Sequence, residues 1–183
     1  METYPQLVSE RLSLERIRYS DVPTIVQYAG NFKIAQTTLN MPHPYEESDA
    51  IFWINLANQG FKNKTQYTFG IRLKSTDGII GGIGLRLQQL FDHAEIGYWI
   101  AEPFWNNGYA TEALGSILNF GFNQLNLHKI FANHLAENPA SGKVMIKNKM
   151  IKEAELKDHT KKDGKYKTLI QYRLTQDEFE KVK

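Results

Sequence analysis

The chain has 183 residues, no cysteine, and a net charge of +2 from 22 basic and 20 acidic side chains. The missing cysteines exclude disulfides, thiolate metal ligands and a cysteine nucleophile, and the balanced charge gives no indication of a nucleic-acid partner. The first residues lack the basic and apolar regions of a signal peptide, and no apolar run reaches the ~20 residues of a membrane span, so we expect a cytoplasmic protein.

The first third of the chain predicts a strand followed by two helices. Alternating apolar residues at 12–17 predict the strand. Ser20-Asp21 provides an N-cap for a first helix, with a proline in its first turn. The two prolines in residues 36–45 predict a loop, and the pattern from Ser48 to Gly60 predicts a second helix that ends at the glycine.

The rest of the chain alternates strand and helix patterns. The long apolar period from Tyr109 onward is typical of an amphipathic helix, and Asn138-Pro139 is typical of a helix start. The tail from Thr175 has room for one helical turn. The predicted strands are 67–73, 79–87, 94–100, 129–135, 151–156 and 166–174. This alternation predicts an α/β or α+β domain around one mixed sheet.

A small-residue turn joins the strand 94–100 to the long helix. Asn106, Asn107 and Gly108 come directly before the predicted helix start at Tyr109. The first N–H groups of a helix lack internal partners and favour an anion, so this turn predicts a phosphate site. The alternative is a turn with a purely steric role, since Asn-Gly is common in turns.

Two further patterns argue against other kinds of site. The glycines from Gly78 to Gly84 do not have the GxGxxG spacing, because the third position is Leu87, and they lie in a predicted strand. The five histidines are scattered, and no pair has the spacing of a zinc-binding helix, so we expect no metal site.

Glu95 is the best acid/base candidate from the pattern alone. It lies in the middle of a strand among apolar residues, where a carboxylate is rarely buried without a partner or a task. The alternative is that its face of the sheet is solvated, as in many antiparallel sheets.

The chain resembles the GNAT N-acetyltransferases, and within them the RimJ/RimL-like branch that includes ribosomal-protein N-terminal acetyltransferases. The resemblance covers about residues 10–174 of one acetyltransferase domain that we expect to span residues 1–183. Its most specific part is the acyl-coenzyme A signature from Trp105 to Ala113. Three other segments contribute to it: Glu10 to Leu14, Ala94 to Ile100, and Asn138 to Ser141 with Lys147.

This resemblance implies a fold and a donor site. The fold is a single mixed, mostly antiparallel sheet of about six to seven strands, flanked by helices, with a V-shaped splay between two central strands. Acetyl-coenzyme A is the implied co-substrate. Its pantetheine would pair with the backbone near Ile100 and Ala101, and Lys143 would reach the ribose phosphate. The pyrophosphate would lie on the N–H groups of Asn106, Asn107, Gly108, Tyr109, Ala110 and Thr111.

The resemblance also implies direct attack of an amine on the thioester. Glu95 would be the base, through a water, and a backbone N–H near Ile100 would polarise the carbonyl. Asn138 would hold the pantetheine or the thioester. Ser141 would protonate the departing thiolate, with a helix-turn hydroxyl as the alternative interpretation.

The acceptor is expected to be a primary amine, either a protein N-terminus or a small molecule. Its pocket would be formed by the first two helices and their loop, opposite residues 91–93. The candidate residues are aromatic and have a core role as their alternative: Tyr28, Phe32, His43, Tyr45, Trp53 and His93. A non-catalytic module that binds acyl-coenzyme A is the second hypothesis for the whole chain. The pattern is compatible with a monomer or a homodimer.

Overall fold

The computed structural model describes residues 3–182, which form eight strands and six helices. The strands are β1 (Leu7–Val8), β2 (Leu12–Glu15), β3 (Gln66–Leu73), β4 (Ile79–Gln88), β5 (His93–Ile100), β6 (Lys129–Leu135), β7 (Ile151–Lys162) and β8 (Lys165–Thr175). The helices are α1 (Val22–Ala29), α2 (Phe32–Thr37), α3 (Glu47–Lys62), α4 (Tyr109–Asn123), α5 (Pro139–Lys147) and α6 (Gln176–Lys181).

All eight strands belong to one sheet, in the order β1-β2-β3-β4-β5-β6-β8-β7. Among these strands of residues 3–182, the pair β5–β6 is parallel and the other neighbours are antiparallel. The expected mixed, mostly antiparallel sheet is therefore confirmed. The expected number of strands was too low, because β1 has only two residues and is too short to produce an alternating pattern.

The two parallel strands separate toward their carboxyl ends. They pair only from His93–Lys129 to Ile96–Ala132. Beyond that point β5 stays paired with β4 as far as Ile100, and β6 stays paired with β8 as far as Leu135. The expected splay is therefore present, and we call the space between residues 97–100 and 133–135 the wedge.

Helices cover both faces of the sheet and form two apolar clusters. One cluster joins the sheet to α4 and α5, with Leu114, Ile117 and Met145 as buried members. The other joins α1, α2 and α3 to the opposite face, where Trp99 of β5 packs with the helices. Since side chains alternate along a strand, the face of β5 that carries Trp99 is also the face of Glu95.

Helices α2 and α3 differ from the sequence prediction. Helix α2 was not expected, and α3 continues beyond Gly60 to Lys62. Gly60 has a packing role, because a Cβ there would stand 2.7 Å from the Cβ of Gln66. Helix α3 also begins at Glu47 rather than after Ser48, and the Glu46 N–H donates to the Asp49 carboxylate at 2.8 Å.

Candidate active site

The wedge is bordered by backbone edges that carry no strand partner. Just after β5, the Ala101 N–H points away from the wedge and donates to the Ile80 carbonyl of β4 at 2.8 Å. Backbone groups of successive strand residues point to opposite edges, so the N–H groups of Tyr98 and Ile100 point toward the wedge. An extended amide-bearing ligand fits such an edge, because it can add to it as a strand does.

The backbone groups of Ala101, which the sequence analysis expects to pair with the pantetheine, have partners within the protein. Its N–H is bonded to Ile80, and its carbonyl accepts from the Phe104 N–H at 2.9 Å. The Ile100 carbonyl is likewise occupied, because the Trp105 indole donates to it at 2.6 Å. The Ile100 N–H is therefore the group of this pair that can contact a ligand in the wedge.

The turn before α4 has the geometry of an anion site. Asn106 has φ +62° and Gly108 has φ +81°, and both values lie in the left-handed region that suits glycine. The Asn107 side chain donates to the Trp105 carbonyl at 2.9 Å. No side chain of the described residues caps the helix start, so the N–H groups of its first turn, which includes Tyr109, Ala110 and Thr111, have no side-chain partner there.

Arg11, between β1 and β2, fixes this turn from a distant part of the chain. Its Nη1 donates to the Asn107 carbonyl at 2.9 Å, and its Nε donates to Glu112 at 2.7 Å. Its guanidinium also lies over the Tyr109 ring, 4.6 Å from the centroid. The sequence analysis missed this role, because contacts across 96 to 101 residues leave no local pattern.

Glu112 completes this connection from the first turn of α4. Its carboxylate accepts from the Ser9 hydroxyl and from the Arg11 backbone N–H, each at 2.7 Å, in addition to the guanidinium. Burial acts to raise the pKa of Glu112, but the hydrogen bonds from Arg11 and Ser9 outweigh it and hold this pKa below its ordinary value. The carboxylate is therefore ionised where it holds the turn.

Helix α5 supports the other side of the turn. The Asn148 side chain at its end donates to the Thr111 carbonyl at 3.0 Å. Lys143 lies exposed on the same helix, without an ion pair to any residue in 3–182. Its ammonium group is therefore not held by a carboxylate of these residues.

Asn138 and Ser141 lie together at the start of α5. The Asn138 side chain accepts from the Ser141 N–H at 3.3 Å, as the cap of the helix, and donates to the Thr37 carbonyl at 3.2 Å. The Ser141 hydroxyl lies 2.8 Å from the hydroxyl of Tyr98, which comes from the other side of the wedge. The structure therefore places Ser141 beside the wedge, whereas the Asn138 amide already has two backbone partners.

The end of α2 is tied to the same region by the β7–β8 hairpin. The Lys162 ammonium donates to the carbonyls of Ala35 and Thr38, and burial lowers the pKa of this lysine. Together with the Asn138–Thr37 contact, this bond joins α2 to the side of the wedge that β6 forms. No sequence pattern indicated it, since the partners are backbone carbonyls more than 120 residues away.

Glu95 belongs to a row of polar side chains across four strands. It forms an ion pair with Arg86 of β4 and accepts from the Asn133 amide of β6 at 3.0 Å. Gln171 of β8 in turn donates to Asn133 at 3.0 Å. The Glu95 side chain is 23% exposed, so the carboxylate is partly solvated and held in a fixed orientation next to the wedge.

Gly97 leaves space on the same face of β5. It lies between Glu95 and Trp99 in the alternation, is exposed, and a Cβ at this position would meet no atom within 4 Å. In contrast, a Cβ on Gly82 would stand 2.5 Å from the Trp53 ring. The open side of β5 is therefore above Gly97, directly beside the Glu95 carboxylate.

The aromatic candidates for an acceptor pocket form separate pairs. Tyr28 contacts Phe104, and Trp53 contacts Trp99, both edge to face on the α1–α3 side. The exposed Phe32 packs on His43, with ring centroids 4.9 Å apart. Tyr45 is buried, which raises its pKa to about 12, so it belongs to the core.

His93 lies apart from these aromatic residues. It begins β5 at the paired end, opposite Lys129, and its ring stacks on His128. The wedge opens at the other end of the strand, so the expected acceptor role of His93 has no support in the geometry. In the part of the chain that the structure describes, no group of three or more His, Asp or Glu side chains is arranged to hold a metal ion.

A family model for the acetyltransferase (GNAT) domain matches residues 11–151. The chain belongs to the GNAT family of acetyltransferases. An uncharacterized N-acetyltransferase, p20, of Bacillus licheniformis is 30% identical over 180 residues, which cover 98% of this chain and 99% of the relative. No helix among residues 3–182 is long and apolar enough to cross a membrane.

The RimJ/RimL-like branch fits two further comparisons. The ribosomal-protein-serine acetyltransferase of Escherichia coli is 26% identical over 152 residues, 82% of this chain and 84% of that protein. Mycobacterium smegmatis RimJ, solved in complex with CoA-disulfide, superposes with a TM-score of 0.86 at 21% identity, over 96% of this chain and 89% of that one. This superposition shows that the GNAT chain described here shares the fold of RimJ.

Proposed function

We propose that this acetyltransferase transfers the acetyl group of acetyl-coenzyme A to the α-amine of a protein or peptide N-terminus. The observation that carries the proposal is the wedge with its unpaired backbone edges, which ends at an uncapped helix start. A long donor with amide groups and a pyrophosphate matches both features at once.

The residues that would hold the donor follow from the site. The N–H groups from Asn107 to Thr111 would bind the pyrophosphate, and the N–H groups of Tyr98 and Ile100 would bond to the pantetheine and the thioester carbonyl. Lys143 would neutralise a further phosphate. The donor supplies an activated acetyl thioester, and the protein supplies orientation and charge stabilisation.

The transfer step needs no covalent intermediate on the protein. The amine nitrogen forms a bond to the carbonyl carbon, the carbon–sulfur bond breaks, and the sulfur keeps the electron pair. The nitrogen loses one proton and the sulfur gains one, so the reaction is balanced without another reactant. Glu95 would accept the proton from the nitrogen through a water, and the Ile100 N–H would stabilise the charge on the carbonyl oxygen.

The environment of Glu95 favours an α-amine over a lysine as the acceptor. Its two oxygens already accept hydrogen bonds from Arg86 and Asn133, so fewer lone pairs remain to receive a proton from the amine through a water. An α-amine, with an ordinary pKa of about 7.7–8.0, is partly neutral near pH 7, whereas a lysine at about 10.4 is not. The E. coli relative, a ribosomal-protein-serine acetyltransferase, supports a protein as the acceptor.

The test compares two peptides that differ only in the position of the free amine. One begins with a free serine α-amine and contains no lysine, and the other has a blocked N-terminus and one lysine. Release of the free thiol is measured after coenzyme A binding has been established by titration calorimetry. We expect release with the first peptide alone; release with the second alone, or only with small amines, would overturn the N-terminal acceptor.

Glu95→Gln tests the role of the base in the same assay. We expect kcat to fall by about 10²-fold while the affinity for coenzyme A stays unchanged, because the carboxylate contacts the proton and not the donor. Glu155→Gln is the matched control, since it loses an ion pair with Lys152 on β7, outside the wedge. Equal rates for Glu95→Gln and the control would remove Glu95 from the mechanism.

A further inference from the structure

Two hydroxyl groups meet beside the wedge, one from each of its sides. The Tyr98 hydroxyl of β5 lies 2.8 Å from the Ser141 Oγ and 3.0 Å from the Ser141 carbonyl on α5. Both side chains are partly buried, and Tyr98 packs against the apolar cluster that α4 and α5 share with the sheet. Both hydroxyls belong to side chains, so their contact is not part of the backbone pairing of the sheet.

The chemical state of Tyr98 limits what the pair can do. Burial raises the pKa of Tyr98 to about 12, against a smaller opposite effect of its bond to Ser141, so the phenol keeps its proton at physiological pH. Tyr98 is thus a hydrogen-bond donor and not a base. Its single hydrogen has two acceptors within reach, the Ser141 carbonyl at 3.0 Å and the nearer Ser141 Oγ at 2.8 Å. When this hydrogen is directed to the Oγ, the hydrogen of Ser141 is free to point elsewhere.

We propose that Tyr98 is a positioning residue for acetyl transfer, which donates to the Ser141 Oγ and so directs the Ser141 O–H at the departing sulfur. This inference rests on the proposed function. In the step concerned the carbon–sulfur bond breaks and the electron pair stays on sulfur, where the Ser141 O–H donates to it. The sulfur then takes up one proton, equal in number to the proton that the amine nitrogen loses.

The physical reason is the polarisation of one hydrogen bond by another. A hydroxyl that accepts a hydrogen bond becomes a better donor, so the Tyr98 bond strengthens the one from Ser141 to a thiolate. Bonds to an ionised acceptor are about twice as strong as neutral ones, so the gain is larger for the product thiolate than for the neutral thioester. Only an interaction that is stronger in the transition state than with the bound thioester lowers the barrier to acetyl transfer.

The test measures the ionisation of the coenzyme A thiol bound to the protein, which requires no acceptor and no turnover. Wild type, Tyr98→Phe, Ser141→Ala and the double variant are saturated with coenzyme A. The ultraviolet absorbance of the thiolate is followed against pH, with desulfo-coenzyme A as the blank. Ser141→Ala retains the backbone carbonyl that Tyr98 also contacts, so it removes the hydroxyl with little effect on packing.

We expect Ser141→Ala to lower the thiolate-to-thiol ratio at a given pH by about tenfold, and Tyr98→Phe by about three- to tenfold. The double variant should show no loss beyond Ser141→Ala, because Tyr98 acts through Ser141. With an active acceptor, Tyr98→Phe should lower kcat and leave the KM for acetyl-coenzyme A unchanged. A role in packing alone would instead lower the melting temperature and leave thiol ionisation as in wild type.

Tyr19→Phe is the matched control, because its hydroxyl bonds to Asn55 at 2.6 Å outside the wedge. The inference is overturned if Tyr98→Phe ionises the thiol as wild type does, or if its effect persists in full without the Ser141 hydroxyl. Failure of the wild-type protein to bind coenzyme A would be a different result. It would overturn the proposed function, and this inference with it.

Discussion

Replacing Glu112 by glutamine isolates the charge that connects the start of α4 to the first two strands. The carboxylate is 15% exposed and accepts from the Ser9 hydroxyl and the Arg11 backbone N–H, each at 2.7 Å. A neutral amide of the same shape weakens both bonds by about half, which predicts a loss of about 1–2 kcal/mol in the free energy of unfolding at pH 7. The exposed guanidinium of Arg11 is left out of this figure, because solvent screens it.

The pH dependence of this loss gives the sharper assay. The pKa of Glu112 is lowered in the folded state from the ordinary value of 4.5, so its stabilising effect is present above that value. The effect is lost as the pH falls through the lowered pKa of the folded protein. Urea unfolding of wild type and Glu112→Gln should therefore differ fully at about pH 6–7 and converge in acid.

A matched variant separates this effect from the general preference of helix starts for acidic residues. Glu47 lies in the first turn of α3 and is exposed. Glu47→Gln should cost only a few tenths of a kcal/mol, as the helix dipole alone predicts. Our reasoning would be refuted if Glu112→Gln cost no more than Glu47→Gln, or if its cost were the same at pH 7 and in acid.

Two glycine variants test the two halves of the site. Gly108→Val should weaken coenzyme A binding at least about tenfold in calorimetry, because a β-branched side chain at φ +81° distorts the turn that we propose binds the pyrophosphate. Gly164→Val, at φ +76° in the β7–β8 turn, is its control and should leave the affinity unchanged. Gly97→Leu should raise the acceptor KM about tenfold or more without altering donor affinity, since the side chain fills the open side of β5. A normal acceptor KM would place the acceptor elsewhere.

The sequence predicted the elements whose pattern is local. Residues 129–135 form a strand with the predicted bounds, and the helix that begins at Tyr109 follows its apolar period. Asn138 caps α5 through the Ser141 N–H, as its residue type indicates. The short helix α2 was missed, because six residues next to a proline-rich loop carry too little periodicity to be recognised.

The tertiary structure decided which side chains act together. The sequence places Glu95 on a strand and Ser141 on a helix. It does not reveal that Arg86 and Asn133 bond to the Glu95 carboxylate, or that the Tyr98 hydroxyl contacts the Ser141 hydroxyl. Each of these contacts depends on strand order and register, which are set by packing across the whole sheet. Local chemistry therefore predicted the turn before α4, although Arg11 fixes it from a distant part of the chain. The wedge and its hydroxyl pair exist only because two distant strands run side by side and then separate.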